Sequence, residues 1–359
     1  MGKGKVVVGM SGGVDSSVAA YLLKEQGYEV TGVTMLTLLE QTVSEGCGSS
    51  LLVEDARTVA KSLSIPHDTV DFSREFQCHV MDYFVEEYLC GRTPNPCNAC
   101  NRYIKWQSLL AKAEELGADY IATGHYARID HLANGRVAIR NSVTAQKDQT
   151  YALYNLTQQQ LSHTLMPVGE YTKDAIRQIA EKIGLNVASK PDSQDICFIP
   201  DHDYGGFIRR QGKCLPGEGE FVDREGRFLG KNKGYYQYTI GQRKGLNLAM
   251  GHPVFVTEIC PETNRVVIGE SEELFHKGVL VEKMNFMALP ELMPGQEVEV
   301  TAKIRYSHKG AKARLRMQED GLVSCCFDEP QRAMTPGQAL VCYQGEYVAC
   351  GGTMVRVMD

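Results

Sequence analysis

The chain has 359 residues, of which 43% are hydrophobic, and its formal net charge is −6. This length predicts two or three domains, and the acidic balance gives no support by itself for nucleic-acid binding. No stretch approaches the roughly 20 apolar residues of a membrane span, and the first residues lack the apolar segment of a secretory signal. We therefore expect no membrane association and a cytoplasmic location, or an organellar one without a targeting segment.

The chain contains 12 cysteines and lacks a secretion signal. That combination favours reduced thiols used for metal binding or catalysis over a disulfide framework. Cys325, Cys326 and Cys342 stand in apolar, strand-like stretches, so we interpret them as packing residues.

The most informative stretch is Gly9-Met10-Ser11-Gly12-Gly13-Val14-Asp15-Ser16-Ser17, between an apolar run and an apolar-periodic helix. A buried strand followed by a glycine turn and a helix aims backbone N–H groups at an anion. Gly12 and Gly13 allow close backbone approach, and the serines add hydroxyl donors. Because neither a Walker A motif nor the third glycine of a dinucleotide fold is present, a GTPase-like or NAD-dependent protein is disfavoured. An ordinary glycine-rich turn is the structural alternative, which the concentration of serines, glycines and an acid argues against.

From residue 5 to about 140, short apolar strands alternate with helical periods. The predicted strands are Val6 to Met10, Glu29 to Met35, His67 to Phe72 and Tyr120 to Thr123; the predicted helices are Ser16 to Gln26, Val53 to Ser64, Glu75 to Leu89 and Ile104 to Leu116. This alternation predicts a doubly wound α/β domain, a parallel sheet with helices on both faces. Ligands of such sheets bind beyond the carboxyl ends of the strands, so we expect the glycine loop, Met35 and Thr123-Gly124-His125-Tyr126 to meet at one crevice.

The remaining chain predicts an extension and two β-rich domains. After a polar segment, Lys147 to Tyr151, two helical patterns run from Leu156 to Leu165 and from Lys173 to Ile183. Beyond about residue 205 glycines and short strands dominate, and Pro290 to Pro294 is expected to separate two small β modules, the last a barrel. We divide the chain at 1–205 (with a helical extension at about 141–205), 206–278 and 279–359.

A second informative stretch, Arg92 to Arg102, is predicted to be a stiff loop that carries Cys97 and Cys100. A lone Cys-x-x-Cys pair is compatible with zinc ligation, a redox pair, an iron–sulfur site or persulfide chemistry. Cys197, behind the polar turn Asp192 to Asp195, is either a buried core thiol or a third member of this group. Three thiolates would leave one position open, which suits a cluster with an exchangeable sulfur or a nucleophile with a resolving partner.

A basic stretch near the C-terminus contains Tyr306, His308 and six cations without an acid: Lys303, Arg305, Lys309, Lys312, Arg314 and Arg316. It is either a solvated strand face or, given its aromatic residues, a surface that grips an RNA backbone.

Together these stretches closely resemble the tRNA-specific 2-thiouridylase family, within the PP-loop ATP pyrophosphatase superfamily. The resemblance runs almost from end to end. The motifs that carry it are Gly9 to Ser17, Gly91 to Asn101 with Ile104-Lys105, Ala122 to Tyr126, Lys147-Asp148-Gln149, Ile196 to Ile199, Thr239 to Gly245, Arg305-Tyr306 and Thr335 to Gln338.

The resemblance implies a sulfurtransferase that uses ATP and Mg²⁺ to thiolate the wobble uridine of tRNAs for Lys, Glu and Gln. Adenylation of O2 of the base makes it a leaving group, and sulfur then attacks C2. By analogy, Gly9, Met10, Ser11, Gly12, Gly13, Val14, Asp15, Ser16, Met35 and Gly124 bind ATP, with Asp15 also catalytic. Asn95, Pro96, Cys97, Lys147, Asp148, Gln149, Arg305 and Tyr306 would lie at the tRNA or its target base.

By the same resemblance, Cys100 takes the place of the nucleophile and Cys197 that of the persulfide-bearing cysteine, which a sulfur donor protein would load. Many members have Asp where this chain has Cys97, which supports a three-cysteine [4Fe–4S] site as an alternative sulfur carrier. A second departure follows Met35, where the family has lysine and an aromatic residue but this chain has Leu36-Thr37-Leu38.

Two other functions account for part of the sequence. A PP-loop ligase that adenylates a carboxylate or amide for attack by ammonia explains the glycine loop but gives the cysteines and the basic stretch no role. A non-catalytic RNA-binding protein with a structural zinc explains those features but ignores the loop.

Overall fold

A computed structural model describes residues 2–38, 49–188, 190 and 196–358. Its strands are β1 (Lys5–Gly9), β2 (Glu29–Leu36), β3 (His67–Asp71), β4 (Tyr120–Ala122), β5 (Ala127–His131), β6 (Val137–Asn141), β7 (Thr164–Leu165), β8 (Gly219–Val222), β9 (Phe228–Asn232), β10 (Phe255–Cys260), β11 (Arg265–Gly269), β12 (Phe275–Phe286), β13 (Glu297–Lys303), β14 (Ala311–Met317), β15 (Val323–Arg332), β16 (Ala339–Gln344) and β17 (Tyr347–Met358). Its α-helices are α1 (Val14–Glu25), α2 (Ser49–Ser62), α3 (Ser73–Phe76), α4 (Tyr83–Leu89), α5 (Pro96–Ala99), α6 (Leu109–Glu115), α7 (Gln158–Ser162), α8 (Lys173–Lys182) and α9 (Tyr204–Arg210).

Two segments are π-helical and continuous with their neighbours. Gln77–Asp82 joins α3 to α4, and Cys100–Ser108 joins α5 to α6. Short 3₁₀ turns cover Thr150–Leu153, Tyr235–Gln237, Pro261–Thr263 and Ser271–Leu274.

The first part of the chain forms a five-stranded sheet in the order β3-β2-β1-β4-β7, with all pairs parallel. Alternate residues of β1 enter different cores: Val6 and Val8 pack with α1, α2 and α8, whereas Val7 packs with α6. Helices therefore cover both faces, and the predicted doubly wound α/β fold is confirmed.

Several predicted elements need correction. The stretch expected to be a stiff loop becomes helical at Pro96, because Asn95 accepts a hydrogen bond from the Asn98 N–H and proline suits the first helical position. The helix expected from Leu156 to Leu165 is shorter, since Thr157 and Gln160 form a capping box that starts α7 and the chain then enters β7.

The later part of the chain is β-rich, as predicted. A four-stranded sheet has the order β10-β11-β8-β9, and β12-β15-β14-β13-β16-β17 closes into a six-stranded antiparallel barrel through a β12–β17 pairing. Pro290 to Pro294 does not separate two modules, which corrects our expectation, because β12 before it and β13 after it belong to the same barrel. Cys325 and Cys342 are buried in the barrel, but Cys326 is exposed and is not a packing residue.

The hairpin β5–β6 follows β4 in the chain but does not join the parallel sheet. It extends the barrel sheet instead, because β6 pairs with β17. Arg136 in its turn donates to the Met287 carbonyl at 2.6 Å and to the Phe286 carbonyl. Within the described residues, no helix has both the length and the apolar character needed to cross a membrane.

Candidate functional site

The candidate site lies at the carboxyl ends of the central strands. The residues predicted for ATP meet there: a Cβ added to Gly9 would lie 3.3 Å from Met35 Cε, and one added to Gly124 would lie 2.6 Å from the Ser16 nitrogen. A side chain at Gly124 would therefore push the strand away from the start of α1. Close backbone approach explains why glycine is needed here.

The loop is braced by its own hydroxyl groups. The Ser11 N–H donates to Ser16 Oγ at 3.2 Å, and Ser17 Oγ donates to the Gly13 carbonyl at 2.8 Å. Gly12 adopts a φ of 70°, in the left-handed region that glycine enters without strain. Met10 and Val14 are buried in the core, so only their backbone groups can reach a ligand.

Asp15 in the first turn of α1 is held by two residues from other elements. Lys173 Nζ lies 2.8 Å from both carboxylate oxygens, and the Tyr126 hydroxyl donates to Oδ1 at 2.7 Å. The sequence placed Tyr126 near the glycine loop without this hydrogen bond, and it gave Lys173 no role. Lys173 is 158 residues from Asp15, and only the packing of α8 against α1 brings their side chains together.

Cys97 and Cys100 lie on the helix that begins at Pro96, and Cys197, in the segment before α9, lies within electrostatic range of both. Electrostatic effects link the three sulfurs: burial, and after it the charges of Cys100 and Cys97, raise the pKa of Cys197 to about 12. Burial also raises the pKa of Cys97 and Cys100. The sulfurs are thus shielded by protein although Cys97 and Cys197 keep exposed surface.

Lys105 is the shared cation of this group. Its charge lowers the pKa of Cys97, Cys100 and Cys197, against the effect of burial. It also lowers the pKa of His125, which burial already holds well below its usual value. Lys105 therefore lies within electrostatic range of the cysteines and of the residue that follows Gly124. In the sequence analysis Lys105 appeared only as part of a family motif, and no role was assigned to it.

The three cysteines are candidate ligands of a metal ion. Among the residues that the structure describes, no three His, Cys, Asp or Glu side chains form a group that could hold a metal ion. Cys97, Cys100 and Cys197 are all described, so they are not arranged as the ligands of a single metal ion. The polar turn expected from Asp192 to Asp195 lies outside the described residues.

Behind the cysteines, three buried asparagines have unsatisfied side-chain oxygens. Asn98, Asn101 and Asn155 each have an Oδ1 that finds no hydrogen-bond partner among the described residues. Asn155 Nδ2 donates to the Asn98 carbonyl at 3.1 Å, and Asn101 Nδ2 donates to the Ala152 carbonyl at 2.9 Å. These amides anchor the cysteine-bearing helix to the segment at 152–155.

The residues predicted to contact tRNA come together from two parts of the chain. The Tyr306 hydroxyl donates to the Asp148 carbonyl at 3.0 Å, and Gln149 is hydrogen bonded to Tyr126. Arg305 Nη1 donates to the Arg332 carbonyl at 3.1 Å. The barrel thus places Tyr306 beside the segment Lys147–Gln149, and the neighbouring Arg305 is held by the backbone of Arg332.

The rest of the basic stretch has a different setting. In β14 exposed Lys312, Arg314 and Arg316 alternate with buried apolar residues. The two arginines lie 4.0 and 3.7 Å from Glu297, so part of their charge is compensated on the barrel surface.

Three domain models match the chain. They are described as the tRNA methyl transferase HUP domain (residues 4–201), the tRNA methyl transferase PRC-barrel domain (residues 207–270) and the aminomethyltransferase beta-barrel domain (residues 276–354).

Curated relatives match over nearly their whole length. The chain is 59% identical to the tRNA-specific 2-thiouridylase MnmA of Lachnoclostridium phytofermentans, with 98% of this chain and 99% of the relative covered. Identity is 56% to the same-named protein of Clostridium acetobutylicum, covering 97% and 98% of the two chains. Among solved structures, U34-tRNA thiolase NcsA from Methanococcus maripaludis with its [4Fe-4S] cluster is 21% identical, covering 58% of this chain and 66% of that chain. The TM-score of that comparison is 0.36.

The parallel sheet and the glycine loop at its carboxyl edge, together with the HUP-domain match, define an ATP-using protein of the PP-loop class. Within that class the chain belongs to the tRNA-specific 2-thiouridylase family, whose members are tRNA sulfurtransferases.

Proposed function

We propose that the protein is an ATP-dependent sulfurtransferase that replaces O2 of the wobble uridine with sulfur in tRNAs for Lys, Glu and Gln. The observation that carries this proposal is the position of Lys105. Its charge affects all three cysteines of the sulfur site. It also affects His125, which follows Gly124 beside the glycine loop. This position supports a nucleotide site and a sulfur site that share one crevice.

In the activation step, the loop amides and the N-terminus of α1 bind the phosphates of ATP. Mg²⁺ binds mainly through substrate phosphates and one or two carboxylates, and Asp15 is the carboxylate in the loop that fits this role. Lys173, beside Asp15, neutralises charge on the departing pyrophosphate. The product of this step carries AMP on O2 of the base.

In the transfer step, the terminal sulfur of a persulfide on Cys197 attacks C2, and AMP leaves with O2. The Cys100 thiolate then attacks the Cys197 sulfur, which releases the thiolated base and forms a Cys100–Cys197 disulfide. An external dithiol reduces that disulfide and is itself oxidised to a disulfide, and a sulfur donor protein that carries a persulfide then transfers its outer sulfur to the Cys197 thiolate. These steps use only the cysteines, the dithiol and the sulfur donor; a [4Fe–4S] cluster on Cys97, Cys100 and Cys197 is the alternative carrier of the sulfur.

The target base reaches the cysteines by leaving the anticodon stack. Asn95 to Cys97 receive it, while Lys147 to Gln149 and Arg305-Tyr306 bind the surrounding RNA. In this proposal residues 1–205 form the catalytic domain, 206–278 a central domain and 279–359 the tRNA-binding barrel, and the protein works in the cytoplasm.

The test measures pyrophosphate release with and without unmodified tRNA, followed by mass spectrometry of the uridines. We expect release that requires uridine 34, and 2-thiouridine when a persulfide donor is present. Asp15→Ala should abolish release, whereas Asp174→Ala, an exposed acid in the first turn of α8, serves as the control and should not. Release without tRNA would favour a ligase, and tRNA binding without release would favour a non-catalytic RNA-binding protein.

The sulfur route has its own test. Protein purified without oxygen is assayed for iron, sulfide and thiolation. We expect full activity in iron-free protein, and activity that depends on bound iron would replace the persulfide route with a cluster route.

A further inference from the structure

Tyr126 is hydrogen bonded both to the glycine loop and to the segment proposed to contact tRNA. Its hydroxyl donates to Asp15 Oδ1 at 2.7 Å. Its N–H donates to Gln149 Oε1 at 2.8 Å, and its carbonyl accepts from the Gln149 N–H at 3.0 Å. With only 2% of its surface exposed, Tyr126 has little freedom to move independently of these two neighbours.

The connection continues to the barrel. The Asp148 carbonyl accepts from the Tyr306 hydroxyl at 3.0 Å. The Asp148 carboxylate accepts from the N–H groups of Ser142 at 2.8 Å and Thr150 at 3.1 Å, which fixes the segment on both sides. An uninterrupted series of hydrogen bonds and peptide units thus runs from Asp15 to the half-exposed ring of Tyr306.

The loop end of this series is sensitive to charge. Lys173 Nζ contacts both oxygens of Asp15 and lies 5.9 Å from the centre of the Tyr126 ring. A triphosphate at the loop competes with Asp15 for Lys173, which changes the charge that the Tyr126 hydroxyl faces. Hydrogen bonds to a carboxylate are charge-assisted, and a carboxylate that no longer shares its oxygens with Lys173 accepts more strongly, so this change alters how firmly Tyr126 is held.

We infer that Tyr126 is a positioning residue through which ATP binding and tRNA binding strengthen each other. The inference rests on the proposed function and adds a property to it: the affinity for each substrate is higher when the other substrate is bound. Because binding coupling is reciprocal, tRNA must tighten ATP by the same factor by which ATP tightens tRNA.

The experiment measures the dissociation constant of a non-hydrolysable ATP analogue with full-length protein, with and without an unmodified tRNA transcript. The ratio of the two constants is the coupling factor. For the wild type we expect a factor on the order of 10, within the range typical of coupled sites. For Tyr126→Phe we expect about 2 or less, and Tyr306→Phe should reduce the factor from the other end.

The ratio of the two dissociation constants distinguishes a role of Tyr126 in coupling from a purely structural role. A variant that only weakens ATP binding raises both dissociation constants equally and leaves the factor unchanged. Tyr28→Phe is the matched control, because its ring packs 6.1 Å from Tyr120, away from the series. It should keep the wild-type factor, and thermal unfolding of each variant checks that it is folded.

A wild-type factor of one or below, or an unchanged factor in Tyr126→Phe, overturns the inference. The same samples are assayed for pyrophosphate release and 2-thiouridine. If thiolation proceeds with a factor of one, only the coupling is wrong; if tRNA-dependent release is absent, the proposed function is wrong as well.

Discussion

At the scale of single residues, the site depends on charges that are paired before any ligand arrives. Lys173 Nζ lies 2.8 Å from both oxygens of Asp15, and its side chain is only 12% exposed. Removing one member of a shielded ion pair leaves the other charge uncompensated. Lys173 therefore supports the loop in the free protein and is available to the phosphates of ATP.

Lys173→Gln should lower kcat/KM for ATP by about 100-fold or more, a size typical of a lost electrostatic contact to a transition state. Tyr126 and Asp15 remain in place, so tRNA affinity without ATP should stay near that of the wild type. Lys182→Gln, an exposed residue in the same helix, is the control. A loss of less than threefold in steady-state kinetics would show that Lys173 has no role in turnover.

His125 illustrates the cost of a buried imidazole. It lies 2.8 Å from Thr123 Oγ1, and burial together with Lys105 holds its pKa well below the usual 6.5. The folded protein therefore binds this proton less tightly than the unfolded chain does. Above pH 6.5 both states hold neutral histidine, and stability is lost as the pH falls below that value.

The free energy of unfolding should fall below pH 6.5, with His125 contributing up to about 1.4 kcal/mol for each pH unit. His125→Asn should make the fall shallower, whereas His131→Asn, at an exposed position, should not. Urea unfolding at pH 7.5, 6.5 and 5.5 gives the comparison. Equal slopes in wild type and His125→Asn would mean that His125 is not neutral in the folded state.

At the scale of elements, the start of the helix at Pro96 determines where the cysteines point. Asn95 Oδ1 accepts from the Asn98 N–H at 3.2 Å, which satisfies one of the free donors at the helix N-terminus. The same residue is proposed to receive the target base, so its structural and functional contributions must be separated.

Asn95→Ala should reduce the free energy of unfolding by about 1 kcal/mol, the usual cost of losing a cap. Asn95→Asp keeps an accepting oxygen and should retain most of the stability. Thiolation assays of the two variants then distinguish the roles. If Asp restores activity along with stability, Asn95 acts only as a cap; if it restores stability alone, the amide contacts the base.

Part of this architecture follows from local sequence and could be predicted. Val6 to Val8, the glycine loop and the helical period after it are contiguous, so β1, the turn and α1 were recognised from neighbouring residues. The ion pair between Lys173 and Asp15 depends on two helices packing across 158 residues, which no local pattern encodes. The helical setting of Cys97 was missed because two prolines around Asn95 suggested a loop, although one of them starts a helix.

At the scale of the whole molecule, the α/β sheet and the barrel are joined rather than merely adjacent. Arg136 donates to the Phe286 and Met287 carbonyls, and Asn285 Nδ2 donates to the Tyr154 and Leu156 carbonyls at 2.7 and 2.9 Å. Because β5–β6 adds to the barrel sheet, the position of the barrel relative to the site is fixed by backbone contacts. The boundary at Pro290 to Pro294 was wrong for the same reason: strand pairing between distant residues, not proline content, defines the barrel.

Arg136→Ala leaves two backbone carbonyls without their charged donor and should reduce the free energy of unfolding by about 2 kcal/mol. The control is Arg227→Ala. Arg227 pairs with Asp223 on the exposed surface of the four-stranded sheet, and such surface ion pairs contribute little to stability. Calorimetry should also show a second transition in Arg136→Ala if the barrel loosens before the α/β sheet. A loss equal to that of Arg227→Ala would mean that the junction does not depend on this arginine.

The π-helical segment Cys100–Ser108 has a consequence for the length of the chain itself. A π-helix carries about one residue more per hydrogen-bonded ring than an α-helix, and such segments occur mostly at functional sites. Deleting one residue between Arg102 and Trp106 would allow an ordinary α-helix and should even favour folding locally. Because the wider turn absorbs the additional residue, the deletion would leave Cys97 and Cys100 on roughly the same side of the helix relative to the buried Trp106. It would remove the local widening of the helix that begins at Cys100, so the deletion tests the π turn itself rather than the register of the helix.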